Sequence, residues 1–159
     1  EISDCLVGAE MCIRDRYIKK YVQMMNQEKS YRSIFSLNKI AVVGMSANAN
    51  RPSHQIGFYL REQGYNIYPV NPNYNKIDEM KCFSDLNEIK DSIDIINIFR
   101  HPDHVLPIVN DSIKINPKVI WFQDGVVNYE AIDLANKNGI QTIVDDCIYR
   151  KHKVFKNKA

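Results

Sequence analysis

Short apolar runs, each separated from the next by a polar stretch long enough for a turn or helix, constrain this chain more than any other feature. The runs are Ile40–Val43, Ile67–Val70, Ile93–Phe99, Lys118–Trp121 and Ile140–Val144. Continuous apolar runs are typical of strands buried on both faces of a sheet. Strands that alternate with helices imply right-handed crossovers and parallel pairing. We therefore predict an α/β fold with a doubly wound, five-stranded parallel sheet in a single domain.

Cap and turn residues mark several of the intervening segments as helices. One helix is expected to begin at Pro52 with Ser53 as its N-cap, because a serine side chain accepts a hydrogen bond from a first-turn N–H group. Asn128 is expected to cap a later helix in the same way. The predicted fold is thus Rossmann-like. Pro69 is expected in an edge strand or at the end of a strand, because proline lacks a ladder donor.

Three segments are predicted along the 159 residues. Residues 38–150 form the ligand-binding domain, residues 151–159 a solvated basic tail and residues 1–37 an N-terminal extension. The stretch Val7–Arg16 resembles translated sequencing-adapter sequence, so residues 1–16 are expected to be foreign to the native protein. The alternative is that residues 1–37 form a helical arm, since aromatic and methionine residues recur there at helical spacing.

Composition argues against several classes of protein. The net charge is only +2, so nothing indicates nucleic-acid binding, and no segment is apolar enough to suggest a membrane span. Four cysteines occur without a Cys-x-x-Cys pair, which favours a reduced, cytoplasmic protein without a zinc knuckle or a disulfide framework. His101 and His104 lie three residues apart, but no further ligands are placed to complete a metal site.

The loop after the first strand, residues 44–53, has the strongest ligand-binding pattern. Ligands of such sheets bind outside the carboxyl ends of the strands, and a helix N-terminus there offers unpaired N–H groups to a phosphate. Gly44 permits close approach, Ser46 and Ser53 carry hydroxyl donors, and Arg51 matches phosphate oxygens. These residues predict a phosphate-bearing nucleotide. The structural alternative is that Gly44 only makes a turn and Ser53 only caps the helix.

Two motifs that would indicate other nucleotides are missing. The loop lacks Gly-x-Gly-x-x-Gly, and the second strand ends in Asn71 and Pro72 rather than in an acidic residue for a ribose hydroxyl. Both absences count against an NAD dehydrogenase. The sequence also lacks Gly-Lys-Ser/Thr, which excludes a P-loop NTPase.

Motifs at the strand ends occur in the order of a known family. They are Ile40–Ser46, Arg51–Ser53, Pro69–Pro72, Asp94–Arg100, Trp121–Val126 and Asp146–Ile148. At these residues the chain resembles the stand-alone CoA-binding domain proteins, which are similar to the N-terminal domain of the succinyl-CoA synthetase α subunit. The resemblance covers residues 38 to about 152 and implies coenzyme A as the cofactor.

The resemblance also implies roles for particular residues. Those holding the pyrophosphate would be Gly44, Met45, Ser46, Arg51, Pro52 and Ser53; those on the adenosine side would be Val70, Asn71 and Pro72. Phe99 and Arg100 would border the cofactor, and Gln123, Gly125 and Val126 would lie near the pantetheine arm. Family members often carry arginine where His101 stands, so a 3′-phosphate contact from this position is not expected.

No catalytic residue is predicted from the sequence. A synthetase-type ligase would need a second domain with a phosphorylated histidine, and no Ser-His-Asp or paired-carboxylate arrangement is evident. The sequence therefore favours a module that binds CoA or an acyl-CoA. Three alternatives stay open: an NAD(P)-binding protein, a CoA-ligase subunit that needs a partner chain, and a thiol redox module acting through Cys147. For Cys147 itself, a structural role is favoured.

Overall fold

The computed structural model describes residues 16–17 and 30–158. Two compact units divide the chain after Ser36, and the second, Leu37–Ala159, holds the whole sheet. Within the predicted extension, residues 16–17 and 30–35 are helical. The expectation that residues 1–16 are foreign, and the alternative that residues 1–37 form a helical arm, fall mostly on residues outside the described ranges.

A five-stranded sheet, parallel throughout, forms the centre of the second unit. Along the chain the strands are β1 Lys39–Val43, β2 Asn66–Val70, β3 Lys76–Ile77, β4 Met80–Lys81, β5 Ile95–Ile98, β6 Val119–Phe122 and β7 Gln141–Ile143. Their order in the sheet is β2-β1-β5-β6-β7, while β3 and β4 form a separate antiparallel hairpin. The predicted doubly wound α/β fold is confirmed.

Four α-helices cover the sheet: α1 Pro52–Glu62, α2 Val105–Ile115, α3 Tyr129–Lys137 and α4 Ile148–Lys158. Helices α2 and α3 pack together over one face, where their apolar residues join Ile96, Ile98, Ile120 and Phe122 in a single core. Helices α1 and α4 pack together, and strand alternation turns Ile95 and Trp121 to the face opposite this core. Both faces of the sheet are thus buried, which explains the continuous apolar runs.

Local chemistry explains several boundaries. Asn128 accepts a hydrogen bond from the Ala131 N–H (3.0 Å) and caps α3, as the sequence predicts. Pro69 lies in the edge strand β2, where its carbonyl accepts from the Phe83 N–H (2.9 Å). The prediction of an edge position is confirmed, and the ring removes a donor that an outside strand could otherwise pair with.

The structure corrects two expectations and adds one element. The N-cap of α1 is Arg51, not Ser53, because the helix begins at Pro52 and Ser53 is buried within its first turn. The basic C-terminal residues are helical in α4 rather than a solvated tail, because His152 is buried while the lysines lie outside. The β3–β4 hairpin turns at Asp78, whose φ of 48° is left-handed, and strands of two residues give too short a pattern to predict.

Candidate functional site

The carboxyl ends of β1 and β5 mark the point where the strand order reverses. The crossover connections that follow these two strands run in opposite directions, so a crevice opens at the carboxyl edge of the sheet. Gly44 follows β1 with a φ of +85°, and its N–H donates to the Val70 carbonyl (2.8 Å). A Cβ at this position would overlap the carbonyl oxygen of Phe99 and lie 2.9 Å from Arg100 Cδ. Glycine is therefore required by both backbone conformation and space.

Met45 anchors the loop from below. Its side chain is fully buried, and its sulfur and terminal carbon lie so close to Gly57 that a Cβ there would be 2.7 Å from Met45 Cε. Its carbonyl accepts a hydrogen bond from Asn71 Nδ2 (3.0 Å). Asn71 is itself buried, and its Oδ1 accepts from the Asn73 N–H (3.0 Å). Any ligand contact by Met45 thus falls to its backbone, and the Asn71 side chain serves to hold the loop.

Two side chains from the first turn of α1 fix the next residue of the loop. The Ser46 N–H donates to Ser53 Oγ (3.0 Å), and His54 Nδ1 donates to the Ser46 carbonyl (2.9 Å). Ser53 and His54 are both buried. The hydroxyl hydrogen of Ser53 stays available to a ligand, because its oxygen acts as the acceptor here.

Backbone donors remain unused around this N-terminus. Among the residues that the structure describes, the N–H groups of Ala47, Ala49 and Ser53 make no hydrogen bond. Ala47 and Ala49 are exposed, and Ser53 lies in the first helical turn, where no intrahelical acceptor exists. Together with the partial positive charge of the helix end, these donors suit an anion.

Two guanidinium groups flank the crevice without a carboxylate partner. Arg51 precedes α1 and is exposed, while Arg100 follows β5 and is half-buried. Within the described ranges, neither forms an ion pair. An arginine side chain stays charged and can bind phosphate oxygens in a bidentate manner. Both guanidinium groups are therefore available to bind an anion at this half of the sheet edge.

A cleft of about 160 Å³ opens beside Gly44 on the α2 side of the sheet. The structure brings together here four residues predicted for the site, namely Gly44, Val70, Pro72 and Arg100. The other lining residues are Val43, Ser84, Asp85, Leu86, His104, Ile108 and Asp111. Ligand pockets usually measure about 300–1,000 Å³, so this cleft can hold only part of a coenzyme.

Carboxylates at the other half of the edge are paired. Asp124 forms a bidentate ion pair with Arg150 (2.6 and 2.8 Å), which lowers the pKa of its carboxyl group. Asp145 accepts from the Gly125 N–H (2.8 Å), and Asp146 forms an ion pair with Lys151 (3.2 Å). The structure thus turns the Asp124 side chain toward α4. The charges of Asp124 and Asp146 are thereby offset by Arg150 and Lys151, whereas the Asp145 carboxylate is held by a backbone N–H.

Gln123 lies buried at the end of β6. Its Nε2 donates to Oδ1 of Asn97 in β5 (2.6 Å). Val126 is buried and belongs to the core on the α2 and α3 side. Gly125, with a φ of +76°, lets the loop turn between them. Of these three predicted residues, Gln123 and Gly125 bring polar groups to the edge, whereas Val126 contributes packing.

Other candidates have structural partners. Cys147 is buried, and its N–H donates to Asp146 Oδ1 (2.8 Å). His101 Nδ1 accepts from the Asp103 N–H (3.2 Å) at the start of a short 3₁₀ turn. No group of three potential metal ligands occurs in the described part of the chain. None of its helices is both long and apolar enough to cross a bilayer.

Sequence reasoning missed the residues that support the loop. His54 and Gly57 contact it from α1, and Asn97 lies under Gln123. A glycine inside a helix and a lone asparagine inside an apolar strand both carry a local cost. That cost is the sequence feature that could have marked Gly57 and Asn97.

Comparison with protein families gives one match that covers most of the described unit. A model described as CoA binding domain matches residues 38–153. The matched range begins just before β1 and ends within α4, so it includes every residue of the site.

The chain is also similar to individual proteins in sequence and in structure. The chain is 36% identical over 118 residues to the uncharacterized protein YneT of Bacillus subtilis strain 168, covering 74% of this chain and 87% of YneT. It is 36% identical over 80 residues to acetate–CoA ligase (ADP-forming) II of Archaeoglobus fulgidus, covering 49% of this chain but only 12% of the ligase. The structure of a hypothetical protein from Pyrococcus horikoshii OT3 superposes with a TM-score of 0.79 at 33% identity, covering 81% of this chain and 92% of that one.

Proposed function

Because this chain belongs to the CoA-binding domain family, we propose that it binds coenzyme A or an acyl-CoA at the carboxyl edge of the sheet. The pyrophosphate would lie at the N-terminus of α1, and the protein would act by binding rather than by chemistry of its own. The ligand would span the edge from the cleft beside Gly44 toward β6.

The observation that carries this proposal is the distribution of charge along the edge. Arg51 and Arg100 are unpaired beside the unused N–H groups of the loop, whereas Asp124 on the far side is neutralised by Arg150. A polyanion would gain charge-assisted hydrogen bonds on the first half, while on the second half Asp124 is already paired with Arg150. Coenzyme A carries its phosphates at one end only, which matches this asymmetry.

Under this proposal, some of the predicted residues would contact the ligand and others would hold the loop in place. The Ser53 hydroxyl, the backbone at Gly44 and Ser46, and the Arg51 side chain would contact phosphate, while Pro52 presets the helix start that presents the free N–H groups. Val70, Pro72 and Arg100 would contact the adenosine half, since they line the cleft. Met45 and Asn71 would act by holding the loop, and the Phe99 carbonyl by packing against Gly44.

Calorimetric titration would test the proposal directly. We expect saturable 1:1 binding of CoA, and weaker but measurable binding of dephospho-CoA, because the pyrophosphate contacts persist without the 3′-phosphate. NADH serves as the matched control, since it shares the adenosine and pyrophosphate but lacks the pantetheine arm. No heat with either CoA form, in protein whose circular dichroism shows it to be folded, would contradict the proposal, and tighter binding of NADH would favour a dinucleotide instead.

The partial match to the acetate–CoA ligase supports a second candidate, in which the chain is one component of a CoA ligase. The ligase is far longer than the region matched here, so this function would need further domains on a partner chain. Affinity purification of the tagged chain from its native cells, followed by an assay for CoA- and ADP-dependent acyl transfer, distinguishes the two candidates. Transfer activity in the purified complex would favour the ligase component.

A further inference from the structure

One buried polar side-chain atom in the described chain has no partner, and it belongs to the penultimate residue of β5, close to the edge proposed for the ligand. Asn97 is fully buried in β5, between Val42 of β1 and Trp121 of β6. Its Nδ2 makes no hydrogen bond to any described residue. An unsatisfied buried donor costs about 1–3 kcal/mol, so such a group in a strand otherwise made of isoleucine needs a reason.

The partner of Asn97 supplies that reason. Asn97 Oδ1 accepts from Gln123 Nε2 (2.6 Å), which fixes the direction of the Gln123 amide. With its nitrogen turned inward to Asn97, Gln123 must turn its oxygen away from β5. That oxygen receives no hydrogen bond from the residues described here. The pair thus sets one amide acceptor in a fixed direction at the carboxyl end of β6.

The position of this acceptor decides which part of a ligand it can meet. Strand β6 is two strands from β1 in the sheet, and neighbouring strands are about 4.8 Å apart, so Gln123 lies roughly 10 Å from the phosphate loop. Phosphates held at α1 would leave the opposite end of the coenzyme above β6. That end carries two secondary amides, each with one N–H donor.

We propose that Asn97 is a specificity-determining residue that positions the Gln123 amide to accept a hydrogen bond from an amide N–H of the pantetheine arm. Asn97 acts through Gln123 and is a positioning residue, whereas Gln123 touches the ligand. This proposal rests on the proposed function, because it requires that a CoA-type ligand occupy the edge.

Asn97→Leu separates this role from a purely structural one. Leucine removes the unsatisfied Asn97 donor but leaves Gln123 Nε2 without its acceptor, so the two effects oppose each other and the free energy of unfolding should change little. CoA binding should weaken about tenfold through the loss of one oriented hydrogen bond. Binding of adenosine 3′,5′-bisphosphate, which lacks the arm, should not change. Ser112→Ala is the matched control, since Ser112 is also fully buried but donates to the Ile108 carbonyl (2.7 Å) within α2; it should leave both affinities unchanged.

Two titrations for each protein decide the outcome. Unchanged CoA affinity in folded Asn97→Leu, or an equal loss for CoA and the bisphosphate, would show that the pair does not contact the arm. If Asn97→Leu does not fold, Gln123→Met tests the same contact from its outer end, and the same selective loss is expected. Failure of the wild-type protein to bind CoA would instead refute the proposed function, so the two failures are distinct.

Discussion

Replacement of Gly44 by alanine tests how closely the chain packs at the point where the strand order reverses. The new Cβ would overlap the Phe99 carbonyl oxygen and lie 2.9 Å from Arg100 Cδ. It would also stand on a backbone with a φ of +85°, which L-residues rarely adopt. Because the Phe99 carbonyl belongs to the chain just after the central strand β5, it cannot yield without disturbing the sheet.

The expected loss follows from these two costs. A left-handed backbone costs about 1–2 kcal/mol for a residue with a Cβ, and forced overlap in a packed region costs about 1–3 kcal/mol. Gly44→Ala should therefore lower the free energy of unfolding by roughly 2–5 kcal/mol, a large part of the usual stability of a domain. With a typical urea dependence of about 2 kcal/mol per molar, the midpoint of urea denaturation should fall by about 1–2.5 M.

Gly139→Ala is the control that separates strain from overlap. Gly139 also has a left-handed φ, +76°, but a Cβ there meets no atom within 4 Å. This variant should show the backbone cost alone, about 1–2 kcal/mol. Equal shifts in the two denaturation midpoints would refute the reasoning, since they would mean that the Phe99 carbonyl imposes no extra cost at Gly44.

Three further predictions follow from charges. Arg51→Ala should weaken CoA binding by about 1–3 kcal/mol without changing thermal stability. Arg61 is an exposed arginine at the far end of the same helix, so Arg61→Ala should leave the CoA titration unchanged. Equal effects of the two substitutions would place the pyrophosphate elsewhere. Arg150→Met leaves the Asp124 carboxylate without its partner, so CoA affinity should fall. Affinity should recover in the double variant that also carries Asp124→Asn. No recovery would show that the loss comes from a change in helix α4 rather than from the Asp124 charge. Burial lowers the pKa of His152, so the stability that it contributes is complete above its unfolded pKa of about 6.5 and is lost as pH falls below that value. Urea denaturation at pH 7.5 and 5.5 should show this loss in the wild type and a smaller one in His152→Gln, and equal losses would contradict the assignment.

Repetitive features of the sequence predicted the fold. The five apolar runs predicted the strands, because burial on both faces of the sheet favours apolar residues at successive positions. Asn128 gave a helix start, since its cap is made within three residues of the chain. The same logic failed at Ser53, because its hydroxyl is used by Ser46 across the loop rather than by its own helix.

The candidate site was predictable in position but not in detail. Strand ends meet at one edge of any parallel sheet, so Gly44, Val70 and Arg100 could be grouped before their cleft was known. Which side chains face a ligand and which support the loop depends on partners distant in sequence. Asn71 reaches Met45 and Gln123 reaches Asn97, each pair 26 residues apart, and no local pattern encodes such contacts.

Ion pairs distribute charge unevenly along the carboxyl edge of the sheet, and the overall composition does not show this. A net charge of +2 suggests no preference for an anion. Yet Asp124, Asp145 and Asp146 on the β6 and β7 half are each held by a cation or a backbone N–H, while Arg51 and Arg100 beside β1 and β5 are not. Because ion-paired charges contribute little field at a distance, the unpaired guanidinium groups supply positive charge beside β1 and β5, where Asp85 also lines the cleft. Under the proposed function, a ligand with phosphates at one end and amides at the other would lie with its phosphates over β1 and its amides over β6.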